Sequence, residues 1–458
     1  MAVFLSKRIL RYTLLAGLCV TIIVLLSSDH VSSTDINYLE QFKGLGTGVT
    51  DYFRGSETPQ LSEKEKEVEE ERQKVEKNLA QQHEDGKVEF DEPAMDKNAQ
   101  ALKESAEEAD AAHEPQTFKS TWEFMAPSYA NKGKKPKAAF VVLVRNNELE
   151  DILPSIKNVE DKFNHQFNYP WVFFNDEEFT EEFKTKINKT ISSKAEFGLI
   201  PKEHWSYPDF VNQETAKKER DRMVKDAVIY GGSESYRHMC RFQSGFFWRQ
   251  KLLEDYDWYW RVEPSTRLYC DIKYDVFQYM QDEGKVYGFT ITIHEYLRTI
   301  ETLWKSTRDF WKKNPHYIAD DNLVEFISGD KGKTYNLCHF WSNFEIANLN
   351  FWRSPAYREY FDYLDRTGNF FYERWGDAPV HSIAASLFLS KDKIHYFSDI
   401  GYHHNPYDNC PLNNTIYKEN NCDCDQGNDF TFQGYACGVQ YYDAQGLKKP
   451  DNWEKFQQ

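Results

Sequence analysis

The stretch Lys137-Ala-Ala-Phe-Val-Val-Leu-Val144 decides the fold. It is apolar without interruption after its first residue and ends at Arg145-Asn146. Strands buried on both faces read this way, and they sit at the centre of parallel sheets. Beyond it, Leu149, Ile152, Leu153, Ile156, Val159 and Phe163 fall at helical spacing, which predicts a helix over Glu148–Phe163. Tyr169-Pro-Trp-Val-Phe-Phe-Asn-Asp176 then reads as a second strand. Strand, helix and strand in that order imply a right-handed crossover and a mainly parallel sheet. No GxGxxG or GxxxxGK follows the first strand, so the dinucleotide and P-loop fingerprints are absent.

Outward from this unit, strands are expected at Asp257–Val262, Val286–Ile293 and Lys393–Phe397. Helices are expected at Gln213–Asp226, Tyr236–Leu253, Tyr274–Glu283, Thr299–Asn314 and Ala378–Phe388. The expected class is α/β: a mixed, mainly parallel sheet flanked by helices. No internal repeat is visible, and no linker-like segment divides the chain after Thr121.

Trp258-Tyr-Trp-Arg-Val-Glu-Pro264 carries the first hint of chemistry. Its aromatic and β-branched run reads as a buried strand, and Pro264 blocks further pairing. Glu263 therefore stands at a strand's carboxyl end, where open α/β sheets hold their ligands. An acid there can hold a divalent metal and a sugar diphosphate; it fits a pair with Arg261 equally well. Asp255-Tyr-Asp257 is a literal Asp-x-Asp, but it precedes the strand and is expected at the opposite edge.

Only the first thirty residues look membranous. Lys7, Arg8 and Arg11 precede the apolar run Tyr12–Leu26, and Ser27, Ser28 and Asp29 follow it. A cleaved signal peptide has the same charge order, but no convincing small-x-small site follows. The expectation is a cytosolic tail over residues 1–11, a transmembrane signal anchor over 12–28, a stem over 29–120 and a lumenal domain over 121–458. The short span suits the thinner membranes of the early secretory pathway.

The formal net charge of −17 is mostly stem. Leu61–Pro115 holds 18 Asp and Glu against 8 Lys and Arg, a balance of −10, which leaves −7 for the rest. Its sparse apolar positions Val68, Val75 and Leu79 make no long heptad seam, so a fraying or disordered spacer is expected. No basic stripe interleaved with aromatics points to nucleic acid.

Of eight cysteines, Cys19 falls in the apolar run, and Cys410, Cys422, Cys424 and Cys437 crowd a loop-rich carboxyl end. Disulfides in an oxidising compartment are the simplest account, with at least one of the seven remaining thiols left over. Cys422-x-Cys424 is one residue short of the usual zinc knuckle. Asn188-Lys-Thr190 and Asn413-Asn-Thr415 are glycosylation acceptors if lumenal.

Five segments, taken together, resemble a known family. They are Tyr169–Asp176, Tyr236-Arg-His-Met-Cys-Arg-Phe-Gln-Ser-Gly-Phe-Phe-Trp248, Tyr259-Trp-Arg-Val-Glu-Pro264, Cys338-His-Phe-Trp-Ser-Asn-Phe-Glu-Ile346 and Trp375-Gly-Asp-Ala-Pro-Val-His381. In this order they resemble the fungal Golgi α-1,2-mannosyltransferases, glycosyltransferase family 15, over about residues 121–443. The resemblance implies a GT-A-like fold and a type II Golgi membrane protein with a lumenal catalytic domain. It further implies GDP-mannose as donor, Mn2+ as cofactor and a mannosylated glycoprotein as acceptor.

Residue by residue, the resemblance implies that Glu263 and His404 hold the metal. His403 is adjacent, so a one-residue ambiguity stays open. Glu345 matches the family's candidate nucleophile, and Tyr236 a tyrosine near the acceptor sugar. The chemistry fits: a departing diphosphate gains charge that a hard cation stabilises. A carboxylate beside the anomeric carbon either attacks it or stabilises its positive charge. Each also has a plain structural reading: Glu345 bonded to Asn343 or a backbone amide, His404 a loop histidine, Tyr236 a core aromatic. Asp377 and His381 share one helical face. Asp377 is a candidate for substrate hydroxyls or for a helix cap. Arg145 and Arg261 are candidates for the diphosphate or for ion pairs. Rival functions are a glycoside hydrolase and a non-catalytic mannan-binding or cell-wall assembly protein.

Overall fold

The computed structural model describes residues 134–451 and 453–456. The expected tail, anchor and stem, and Cys19, lie outside the described residues. Among the described residues no helix is long and apolar enough to cross a membrane.

The strands in chain order are β1 (Ala138–Leu143), β2 (Trp171–Asn175), β3 (Ala195–Leu199), β4 (Trp258–Arg261), β5 (Thr266–Leu268) and β6 (Tyr287–Phe289). They continue with β7 (Thr292–His294), β8 (Cys338–Phe340), β9 (Glu345–Asn348), β10 (Ile394–Tyr396), β11 (Tyr402–His404) and β12 (Tyr407–Asn409). Seven form the main sheet in the order β10-β6-β9-β4-β1-β2-β3. The β1–β2, β2–β3, β1–β4 and β10–β6 pairs are parallel, while β9 runs antiparallel to both β4 and β6.

β1 explains its own composition. Ala139 and Val141 enter one core, and Ala138, Phe140 and Val142 enter the other. Helices α1 (Leu149–Val159), α2 (Glu181–Thr190), α3 (Gln213–Lys225), α4 (Glu234–Gly245), α5 (Val276–Asp282) and α6 (Asp377–Phe388) flank the sheet. α1, α2 and α5 cover the face with Trp171, Phe173, Trp258 and Trp260. α3, α4 and α6 cover the face with Val172, Phe174 and Tyr259.

The β1–α1–β2 unit, β4 and β10 match the sequence reading. Two expectations are corrected. Val286–Ile293 is two strands, β6 in the main sheet and β7 in a two-stranded sheet with β8. The helix expected over Tyr236–Leu253 ends at Gly245, after which the chain turns through short 3-10 turns. Gly245 packs so closely on Phe361 that a Cβ there would meet the ring at 1.9 Å. A longer apolar periodicity therefore conceals a backbone contact that only glycine permits.

The reversal of β9 matters most for chemistry. A strand that opposes its parallel neighbours begins where they end. Its first residue, Glu345, lies opposite Arg261, the last of β4, at the carboxyl edge. Asp257 lies at the other edge, where its N–H meets the Lys137 carbonyl at 2.8 Å. An open groove of about 640 Å³ at that same edge is lined by residues including Lys135, Lys194, Lys251, Tyr256 and Asp255.

Disulfides join Cys270 to Cys422, Cys338 to Cys437 and Cys410 to Cys424. Cys240 is free and buried, the expected odd thiol. Both cysteines of Cys422-x-Cys424 are in disulfides and offer no thiolate to zinc. The same holds for the trio His294, Cys338 and Cys437, whose ligand atoms lie within 4.8 Å of one another. The first and third bridges fasten the chain just after β5 and just after β12 to one segment. They brace both outer strands of the small sheet β12-β11-β5 at one end, where Leu268 and Asn409 both pair with Tyr402.

Candidate active site

β4 ends at Arg261 with Glu263 two residues on, and the chain then enters β5, which pairs with β11 in the register Thr266↔His404. That pairing carries a histidine from far along the chain to the end of β4. His404 Nε2 lies 3.6 Å from Glu263 Oε2. His404 Nδ1 faces the Asn405 carbonyl at 3.2 Å, a partner that can fix the orientation of the ring. Alternation along β11 turns His403 away, to Asp408 Oδ1 at 2.6 Å. Of the two histidines, His404 is thus the one that meets Glu263. The Trp341 ring stands 4.8 Å from the His404 ring and walls that side.

The pair fits one divalent ion. Two oxygen or nitrogen ligands, each about 2.1 Å from an ion, lie at most about 4.2 Å apart. Glu263 divides its carboxylate: Oε1 accepts from Arg261, and Oε2 is left toward His404. Burial opposes charge on Glu263, but Arg261 and His404 outweigh it and hold the carboxyl down at about 2. The plain structural reading and the metal reading of Glu263 are therefore satisfied by different oxygens of one side chain.

Arg261 is the hub. Its second nitrogen donates to Asp377 Oδ2 at 2.5 Å and to Ser342 Oγ at 3.3 Å, and Ser342 in turn donates to Asp377 at 2.8 Å. Burial would raise the Asp377 carboxyl, yet the Arg261 guanidinium keeps it below the usual carboxylate range. Asp377 is the first residue of α6 and bears no capping hydrogen bond, so its side chain serves Arg261. Both terminal nitrogens of Arg261 are held by acids of its own chain, while its buried Nε has no hydrogen-bond partner among the described residues.

Beneath it lies Glu345, only 1% exposed. Tyr259 donates to Oε1; Tyr287 donates to Oε2 at 2.8 Å, and His381 Nδ1 meets Oε2 at 2.9 Å. Burial and the neighbouring Glu345 push both phenols far above their ordinary range, so each keeps its proton. His381 Nε2 meets the Gln243 carbonyl of α4 at 3.1 Å, and Trp352 donates to the Tyr259 hydroxyl at 3.1 Å. Asn343, an expected partner, accepts instead from Tyr402 at 3.1 Å.

Tyr236 and Arg145 form the opposite wall. Ser233 caps α4 by accepting the Tyr236 N–H at 3.1 Å, which fixes the first turn. Arg145, exposed at the end of β1, donates to Ser235 in that turn. Tyr236 is half-buried; its ring stacks on Tyr230 at 4.6 Å, and the Arg374 guanidinium lies 5.0 Å from its centroid. Burial raises its phenol above the ordinary range. Arg374 also faces Glu295 at 3.6 Å.

The structure thus brings Glu263, His404, Arg261 and Asp377 into one cluster at the carboxyl edge, with Glu345 below, and sets Arg145 beside Tyr236 at the start of α4. Sequence reasoning passed over Tyr259, Tyr287, Ser342, Glu295 and Arg374. Tyr259 and Ser342 sit inside segments already singled out, and alternation from Arg261 points Tyr259 to the Glu345 face. Nothing local marks the other three.

Two solved structures superpose on this chain. Core-mannan synthase A (CmsA/Ktr4) of Aspergillus fumigatus, in an Mn/GDP form, gives a TM-score of 0.64 at 38% identity, covering 74% of this chain and 93% of that one. The mannosyltransferase Ktr4p of S. cerevisiae, in complex with GDP, gives 0.66 at 36%, covering 81% and 98%. The fold is accordingly a mixed α/β glycosyltransferase fold. Residues 89–446 match the glycolipid 2-alpha-mannosyltransferase family, and the chain belongs to it. A curated relative, the glycolipid 2-alpha-mannosyltransferase of Saccharomyces cerevisiae, is 59% identical over 461 residues and is covered, like this chain, over 100% of its length.

Proposed function

We infer that this chain transfers mannose from GDP-mannose to a mannose-terminated O- or N-linked glycan. The new bond is an α-1,2 linkage made with retention, and the setting is cell-wall mannoprotein glycosylation. The observation that carries the reading is the meeting of Glu263 and His404 at the carboxyl edge, in a family with Mn/GDP-bound members.

Mn2+ would be held by Glu263 Oε2 and His404 Nε2 and would offset the charge that the leaving diphosphate gains. The remaining work belongs to the chain. Arg261 keeps Glu263 oriented and ionised, and Asp377 keeps Arg261 in place. Arg145, exposed and with its guanidinium donating to Ser235, is the cation positioned for phosphate. Tyr236, in the first turn of α4, would stand beside the acceptor.

Glu345 acts through its charge. Its oxygens already accept from Tyr259, Tyr287 and His381. Attack on the anomeric carbon would require it to shed these donors, whereas electrostatic support for a positively charged sugar requires no movement. Of the two retaining routes, front-face transfer is the one this geometry favours. The enzyme would sit in the Golgi membrane as a single-pass type II protein, held by residues 12–28 and spaced by the acidic stem.

The test is transfer from labelled GDP-mannose to a mannoside, with Mn2+ added or chelated and the product linkage determined. An α-1,2 product that disappears in chelator is expected. Sugar release that needs neither nucleotide nor metal would make the chain a hydrolase instead.

A further inference from the structure

His381 lies wholly inside the fold, 0% exposed, and both nitrogens of its ring face acceptors. Nδ1 stands 2.9 Å from Glu345 Oε2, and Nε2 stands 3.1 Å from the Gln243 carbonyl. A backbone carbonyl has no proton to offer, and an ionised carboxylate has none either. A ring with one proton would turn a lone pair against an oxygen on its other side, and inside a buried site such an unmade contact is costly. A ring with a proton on each nitrogen satisfies both contacts. Two further features favour the charged ring. Gln243 lies in the last turn of α4, where carbonyls lack intrahelical partners and the helix end attracts a cation. The Trp352 ring stacks on His381 with centroids 4.2 Å apart, and an aromatic face attracts a positive charge held over it.

Glu345 needs that charge. Burial favours the protonated form of a carboxyl unless an opposite charge stands beside it. Tyr259 and Tyr287 give Glu345 hydroxyl protons and no charge. The Arg261 guanidinium, opposite Glu345 in the β4–β9 register, is held by Glu263 and Asp377. Tyr357 stands at the edge of the His381 ring, with centroids 5.9 Å apart, and burial and Glu345 push its phenol far above the ordinary range, so it stays neutral. Asp377, one helical turn before His381 in α6, is spent on Arg261. Among the described residues, the cation within hydrogen-bonding distance of Glu345 is therefore His381. α6 thus hands one side chain to each charged partner: Asp377 to Arg261, and His381 to Glu345.

We propose that His381 is a positioning residue, protonated on both ring nitrogens, whose charge keeps Glu345 ionised for the transfer step. This rests on the mannosyltransferase reading above and deepens it: the negative charge that supports the positive sugar is itself maintained by a histidine of α6. The ring keeps both protons and Glu345 stays a carboxylate throughout, so no proton leaves the pair during transfer. His381 touches no reacting atom, and its effect falls on kcat rather than on the KM for GDP-mannose.

Neutron diffraction locates the ring protons directly and needs no turnover. Hydrogen on both Nδ1 and Nε2 is expected, with none on Glu345. A bare ring nitrogen, or the shared hydrogen on Glu345 Oε2, would overturn the proposal whichever sugar the enzyme transfers. The kinetic test uses the full chain with GDP-mannose and Mn2+. His381→Asn places an amide donor near the position of Nδ1 and carries no charge. Its kcat should be about 10-fold or more below the parent's near pH 7, with the KM for GDP-mannose within about 2-fold. Without the imidazolium the buried Glu345 takes up a proton, so the ratio of variant to parent kcat should climb as pH rises to about 9. Glu345→Gln removes the group through which His381 acts, so adding His381→Asn to it should lower kcat by less than about 2-fold more. A ratio that stays flat with pH, or a full additional loss in the double variant, would leave His381 a packing residue and overturn the proposal. Absence of transfer in the parent itself would sink the mannosyltransferase reading, while the neutron result would still decide the charge of His381.

Discussion

Glu263 Oε2 and His404 Nε2 face each other across 3.6 Å although they lie far apart in sequence. The β5–β11 pairing closes that gap, and two disulfides brace the small sheet that makes it. The site is thus assembled by a non-local strand contact, and the variants below probe its parts separately.

Removing either ligand should weaken the metal and spare the fold. Glu263→Gln and His404→Ala are each expected to lower Mn2+ affinity in the presence of GDP by about 10- to 100-fold or more. Calorimetry measures it. Glu263→Gln keeps an acceptor for Arg261 but loses the charge of that pair, so a lowered thermal midpoint is expected for it, and little change for His404→Ala.

Glu345→Gln keeps the shape of a buried side chain and removes its charge. The rate of transfer should fall by about 10²-fold or more, as when an electrostatic donor to a transition state is deleted. Binding of GDP and Mn2+ should remain close to that of the parent. Full activity with labelled GDP-mannose and a mannoside acceptor would remove Glu345 from its assigned role.

Asp377→Ala leaves Arg261 buried with one carboxylate partner in place of two. Breaking a buried pair in this way costs about 3–5 kcal/mol, readable in urea unfolding. The sign with pH follows from the lowered folded value of Asp377. Its contribution is present above the unfolded carboxyl pKa, near 3.8, and is lost as pH falls through the folded value. The parent should therefore lose more stability than Asp377→Ala on acidification from pH 5 to about 3.

Asp399 behaves in the opposite sense. Burial pushes its carboxyl up to about 7, and its Oδ1 has no partner among the described residues. A raised folded value means stability is fully present below the unfolded pKa and is lost as pH rises through about 7. Asp399→Asn should flatten the decline in thermal midpoint between pH 4 and 7, a decline worth at most about 4 kcal/mol from this group. A decline of the same size in the variant would show that Asp399 is not its source.

How much of this the sequence carried depends on how local each element is. β1, α1 and β2 were legible because both faces of the strands are buried, which leaves an uninterrupted apolar run. Glu263 was legible because a proline follows an acid at the end of an aromatic strand. β9 was not, since Glu345-Ile-Ala-Asn348 is short, begins with a charge and runs against its neighbours. Without that reversal, nothing told that Tyr259 and Tyr287 would converge on Glu345. With 28 tyrosines in the chain, neither could be picked out by type. The choice of His404 over His403 required the register of β11, which only pairing with β5 fixes. Tyr236 was expected near the acceptor sugar or as a core aromatic; it is half-buried, and Tyr230 and Arg374 cover its ring.

The central claim is that Glu263 and His404 jointly hold the cation that serves the diphosphate. The most direct measurement is anomalous scattering at the manganese edge from crystals soaked with GDP and Mn2+. One peak within bonding distance of both Glu263 and His404 and of the diphosphate is predicted. A peak at Asp255 and Asp257 on the opposite edge, or none between Glu263 and His404, would contradict it.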